Sequence, residues 1–142
     1  MFSKSESKQL RQDFWIAFGK SYPRKWILYQ TKIKGLAFKF HFDLKMAMVS
    51  LDIDHTDLEK RMALWEKLIS LKSIFLENHH DQAIFEDCYI LENRKEISRV
   101  YVRLDKVSIH NKNTWQETMI FLHTTMDSFE TFYNTYEDII RS

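Results

Sequence analysis

Asp52 and Asp54, one residue apart and followed by His55 and Asp57, form the densest run of groups in this sequence able to ligate an ion or move a proton. On a strand the two carboxylates share one face, and oxygen ligands of this kind suit a divalent cation that would activate a water for attack on a phosphodiester. Restriction-type nucleases combine such an acid with an acid-x-Lys element, and that Lys is missing here. Glu86 or Asp87 from a later segment would have to complete the shell. Acids ahead of a helix also meet its positive end, which accounts for Asp54 and Asp57 without chemistry. A metal-dependent, nuclease-like hydrolase using Asp52 and Asp54 is therefore the alternative reading.

A second constellation interleaves cations with aromatic rings: Arg24, Lys25, Trp26, Tyr29, Lys32, Lys34 and Lys39, with His41 beside them. Cations meet phosphates and aromatic faces stack on bases, so this pattern fits nucleic acid. A third, Ser108 to Trp115, places His110, Lys112 and Asn113 where a helix begins and its free N–H groups can receive an anion. His79 and His80 are adjacent, which is the wrong spacing for two imidazoles on one helical face. His41 is expected on the wet face of its strand. Cys88 stands between Asp87 and Tyr89, where acids hold a thiol protonated. With two glycines, Gly19 and Gly35, there is no phosphate loop, and no cofactor motif is present.

Charge is divided along the chain. Residues 1–50 hold ten Lys/Arg against three acids, and the remainder holds eleven against seventeen. A basic first third attracts phosphate or an acidic protein partner. One cysteine excludes an internal disulfide and a Cys-rich zinc site, and the charged start MFSKSESKQLRQDF lacks the apolar stretch of a signal peptide. No run reaches the length of a bilayer span. A soluble, cytoplasmic protein is expected, and 142 residues with 44% hydrophobic and 15% aromatic content supply the core of one domain, 1–142.

The elements follow from periodicity. Ser3 and Glu6 have capping-box spacing ahead of Leu10, Phe14 and Phe18, and Gly19 is expected to end that helix. Arg24 to Lys34 reads as a strand. Phe38, Phe40 and Phe42 alternate with Lys39 and His41, predicting a half-buried strand, and Met46 to Asp54 returns after the turn at Asp43-Leu44-Lys45. Thr56 and Glu59 open a helix that runs to Asn78. Ile84 to Leu91 and Ile97 to Leu104 form a second hairpin. Thr114 and Glu117 open the last helix, whose stripe is Trp115, Met119, Leu122, Met126, Phe129, Tyr133, Tyr136 and Ile140. Rings and Met are bulky for a two-stranded coil, so this stripe is expected against the sheet, with a homodimer seam as the alternative. The result is an α+β fold, two antiparallel hairpins in one sheet packed by helices, in the order α-(β)-β-β-α-β-β-α.

The stretches DFWIAFGK, IKGLAFKFHFD, WEKLISLKSIF and EISRVYVRLDKVSIHNKNTWQETMIFLHTTMDSF resemble an uncharacterised bacterial domain-of-unknown-function family over nearly the whole chain. Its members stand alone or form the C-terminal part of proteins whose front halves resemble restriction-type nucleases. The resemblance brings no catalytic residue with it and implies a link to nucleic-acid processing through neighbourhood. From residues and resemblance together, the function reads as a non-catalytic binding or interaction module associated with nucleic acid.

Overall fold

Ser3 starts the first helix as its spacing predicts: its Oγ accepts the Glu6 N–H and the Glu6 carboxylate accepts the Ser3 N–H, both at 3.2 Å. The computed structural model describes residues 2–142. This helix, α1 (Lys4–Ser21), continues past Gly19. It ends instead where the Tyr22 N–H donates to Phe18 O and Pro23 can no longer donate. Phe14 and Phe18 are its buried face.

Four strands follow, β1 (Leu36–Phe42), β2 (Met46–Ile53), β3 (Ile84–Ile90) and β4 (Glu96–Asp105). They form one antiparallel sheet in the order β1-β2-β4-β3, which is the α+β architecture that the two hairpins imply. Asp43 sets the first turn, accepting the N–H groups of Lys45 and Met46 on one carboxylate oxygen.

The segment from Arg24 to Lys34 is not a strand. Leu28 has φ of 47°, which breaks extended backbone, and the Gln30 N–H closes a turn on Ile27 O. The polar groups of this loop are satisfied elsewhere: the buried Glu130 carboxylate accepts the Ile27 N–H at 2.6 Å and an Arg24 N–H at 2.7 Å. The helix expected from Thr56 to Asn78 is two, α2 (Leu58–Ser70) and α3 (Lys72–Asn78), divided at Leu71. Asp57, not Thr56, caps α2, accepting the Glu59 and Lys60 N–H groups. Thr114 does not cap with its hydroxyl, which donates to the carbonyls of Ser108 and Asn111; Asn111 caps a 3₁₀ turn (Lys112–Thr114) that leads into α4 (Trp115–Arg141).

All helices lie on one side of the sheet. Leu122, Met126, Phe129, Tyr133 and Ile140 of the α4 stripe are buried against Phe38, Val49, Leu51, Ile53 and Val100. The stripe thus packs on the sheet of its own chain. The three phenylalanines near position 40 also turn inward: Phe42 meets Phe14 at 4.6 Å, Phe40 meets Phe18 at 5.3 Å and Phe38 meets Tyr133 at 5.5 Å.

Gly35 ties the loop to the entrance of α2. Its φ is +83°, and a Cβ there would stand 2.8 Å from the His55 Cβ. Gly35→Ala is expected to lower stability by about 2 kcal/mol, because a left-handed backbone and a contact with a neighbouring Cβ are both unfavourable. Urea unfolding measures it; a change under about 0.5 kcal/mol would mean the loop rearranges freely.

Candidate functional site

The cationic residues of α2 recur at Lys60 and Lys67, with Ala63 and Leu64 between them. This i, i+3, i+4, i+7 spacing puts all four on one helical face. That face is one wall of a groove of about 300 Å³ whose other walls are Ile33 and Lys34 of the loop, His55 before α2, and Ile140 and Arg141 at the end of α4. No residue lining the groove is acidic. Among the described residues, Lys34, Lys60 and Lys67 make no ion pair, whereas Arg141 lies 3.7 Å from Glu137 and 3.4 Å from Asp138. The floor is apolar, with Ile33 and Ile140 buried. His55 Nδ1 accepts the Asp57 N–H at 3.0 Å, which turns its other ring nitrogen outward from the backbone.

Beside this groove, sharing Ile33 and Lys34, is a second hollow of about 440 Å³ that includes Tyr29, Lys32, Gly35 and Asp54. Tyr29 is 73% exposed. Tyr29, Lys32 and Lys34 are therefore brought together with the α2 stripe. The remaining members of the cation and aromatic run are not. Arg24 is paired with Asp127 and Glu130 and lies 4.2 Å over the Trp26 ring. Trp26 is half-buried against Phe18, Phe40 and His123. Lys25 is exposed. Lys39 points to the helix-free face of the sheet, 3.5 Å from Asp52.

The loop before the last helix lies against the start of α1. His110 Nε2 is 2.7 Å from Ser7 Oγ and its ring rests on Phe2. Lys112 lies 5.6 Å over the Trp115 ring, and the Asn113 N–H is taken by Asn111. His110 thereby ties this loop to the start of α1, and His110, Lys112 and Asn113 together line a hollow of about 400 Å³ with Phe2 and Leu10.

The acidic run does not form a metal shell. Both oxygens of Asp52 accept from Arg99, at 2.7 and 2.8 Å, on the helix-free face, while Asp54 borders the hollow beside the 30s loop. Glu86 accepts the Tyr101 hydroxyl at 2.5 Å, and Asp87 is exposed at a bulge where its carbonyl accepts from Ser98. Among the described residues no group of three or more His, Cys, Asp or Glu could hold a metal ion.

The helix-free face is also less wet than its alternation predicts. Ser50, Asp52 and Arg99 are buried, and His41 accepts or donates to Ser50 Oγ at 2.9 Å. Burial, and then the charge of Arg99, push His41 down to about 4. Burial and the Glu86 carboxylate raise the Tyr101 hydroxyl to about 12. Cys88 is exposed, and its hydrogen bond to Glu96 holds the thiol protonated.

No helix among the described residues is long and apolar enough to cross a membrane. Residues 10–137 match the family described as Domain of unknown function (DUF4268). No curated protein and no solved structure matches the chain.

Proposed function

We propose, from the premise that the chain belongs to the DUF4268 family, that it is a non-catalytic module that binds nucleic acid along the groove between α2, the 30s loop and the end of α4. The observation that carries this reading is a groove lined by Lys34, Lys60, Lys67 and Arg141 with no acid among its lining residues, in a chain whose net charge is only +1. Unpaired lysines on a fixed helical face release counterions from a phosphate backbone, and the apolar floor between them accepts sugar and base edges. Tyr29 and Lys32 extend the track at its loop end, where an exposed ring adds stacking. Arg24, Lys25, Trp26, Lys39, His110, Lys112 and Asn113 are secondary to this track, because most of them already hold partners within the chain.

The test is fluorescence anisotropy with a labelled single-stranded oligonucleotide across a salt series. Four phosphate contacts give a slope of log affinity against log salt of about −3 on a single strand. Lys60→Gln with Lys67→Gln is expected to weaken binding by at least about tenfold near 0.1 M salt and to reduce the slope by about 1.4, without changing the unfolding midpoint. No binding at low salt, or the same affinity and slope in the double variant, would reject the groove.

A further inference from the structure

We infer that the cavity on the helix-free face of the sheet is a second binding site, one that takes a small organic monocarboxylate with an apolar body. This cavity, of about 470 Å³, extends from the helix-free face round the β1 edge to Trp15 of α1, and it shares no lining residue with the lysine groove. Its size falls in the usual range for small-molecule sites.

The strands build it by register. Arg99 of β4 stands opposite Asp52 of β2 and Glu86 of β3. A bulge in β3 then places two residues, Asp87 and Cys88, against Ser98 on β4, so that Tyr89 rather than Cys88 is paired with Ile97 and shares a face with Arg99. The Tyr89 ring lies 4.3 Å from the Arg99 guanidinium carbon. Ser98 takes the freed Asp87 carbonyl at 2.7 Å and holds the bulge.

Arg99 is 4% exposed and is the only buried ionised group in the lining. Asp52 stands behind it and takes two of its donors, Nε and Nη2, and Lys39 braces the same carboxylate from 3.5 Å. A guanidinium carries five N–H groups in a planar fork matched to a carboxylate, so donors remain for a ligand. Met46 and Met48 supply apolar walls on this face, Trp15 and Phe40 add apolar surface where the cavity reaches round the β1 edge, and His41 stands beside them as a neutral ring. Asp43 and Glu92 are exposed at the edge. Solvent screens their effect on a single buried charge pair, but they repel a ligand with further negative charges. The site therefore selects one carboxylate over a phosphate dianion, and a carboxylate over its neutral amide.

Titration calorimetry of the full chain with phenylacetate, 4-methylpentanoate and naphthalene-1-acetate tests this, with phenylacetamide and phenyl phosphate as controls. At least one of the acids is expected to bind, with the matching amide and the phosphate at least about tenfold weaker. Arg99→Lys is expected to lose the acid, because an ammonium cannot reproduce the fork. Ile90→Asp is the companion variant: Ile90 is 57% exposed at the cavity wall, so a carboxylate there leaves the fold intact and, being screened by solvent, weakens the acid by about two- to fivefold. The inference fails if none of the three acids binds at millimolar concentration, if the amide binds as well as the acid, if phenyl phosphate binds more tightly, or if Ile90→Asp leaves the affinity unchanged.

Discussion

Asp52→Ala is expected to destabilise the fold by about 3–5 kcal/mol, the usual effect of removing one partner from a buried ion pair. Asp52 is 1% exposed and Arg99 4%, and the two groups share a bidentate contact at 2.7 and 2.8 Å. Removing the carboxylate leaves the Arg99 Nε and Nη2 N–H groups, which are held by Asp52 at 2.7 and 2.8 Å, without their partner. Lys39 also loses its partner, but it is partly exposed and recovers solvent. The loss therefore arises from Arg99 alone, and this has a consequence that separates it from a simple packing defect. Asp52→Leu combined with Arg99→Met replaces the pair by apolar side chains of similar volume and is expected to recover most of the stability. Urea unfolding at neutral pH reads all three chains. A single-variant loss below about 1 kcal/mol, or a double variant no better than the single, would show that the pair is solvated and that its two charges do not depend on each other.

The same pair shows where the sequence was legible and where it was not. Phe38, Phe40 and Phe42, and the α4 stripe, are large apolar groups at fixed periods, and burial is the only low-energy place for them. The first and last helices and both hairpins followed directly, as did the capping box at Ser3, whereas the middle helix divides at Leu71. Asp52, by contrast, reads as a candidate cation ligand because alternation assigns it a face but not the residue that stands opposite it. Only the register reveals that Arg99 stands opposite it. The strand expected at Arg24 to Lys34 failed for a related reason: its alternation is real, but Glu130, about a hundred residues later, takes the backbone N–H that a ladder would need.

Of the four cations that line the groove, the sequence pattern singles out Lys34. Tyr29 and Lys32 of the neighbouring hollow stand out with Lys34 through their interleaving, whereas Lys60 and Lys67 fall among the polar positions of an amphipathic helix and draw no notice. Their seven-residue separation was the available signal, since it places both on one stripe two turns apart. Nothing local could have added Arg141, which reaches the groove because α4 crosses the sheet and brings its last turn beside α2.

His41 makes the helix-free face sensitive to acid. Its ordinary value of 6.5 falls to about 4, chiefly through burial, then through Arg99 and more weakly Lys39, with Asp52 and Asp43 pulling the other way. The folded chain therefore resists a proton that the unfolded chain accepts, so His41 leaves stability untouched above about pH 6.5 and subtracts from it as pH falls toward about 4. Below that both states are protonated and the difference stays constant. From these two values the loss reaches about 2 kcal/mol by pH 5, before most carboxylates begin to titrate. His41→Gln keeps a donor for Ser50 Oγ but has no proton to gain, so its urea midpoint is expected to vary much less between pH 7 and 5 than that of the unaltered chain. His79 and His80 are also lowered by burial and contribute in the same direction to both chains, so the difference between the chains isolates His41. Parallel losses in the two would place the acid sensitivity elsewhere and would mean that the imidazole charges without disturbing the cavity beside it.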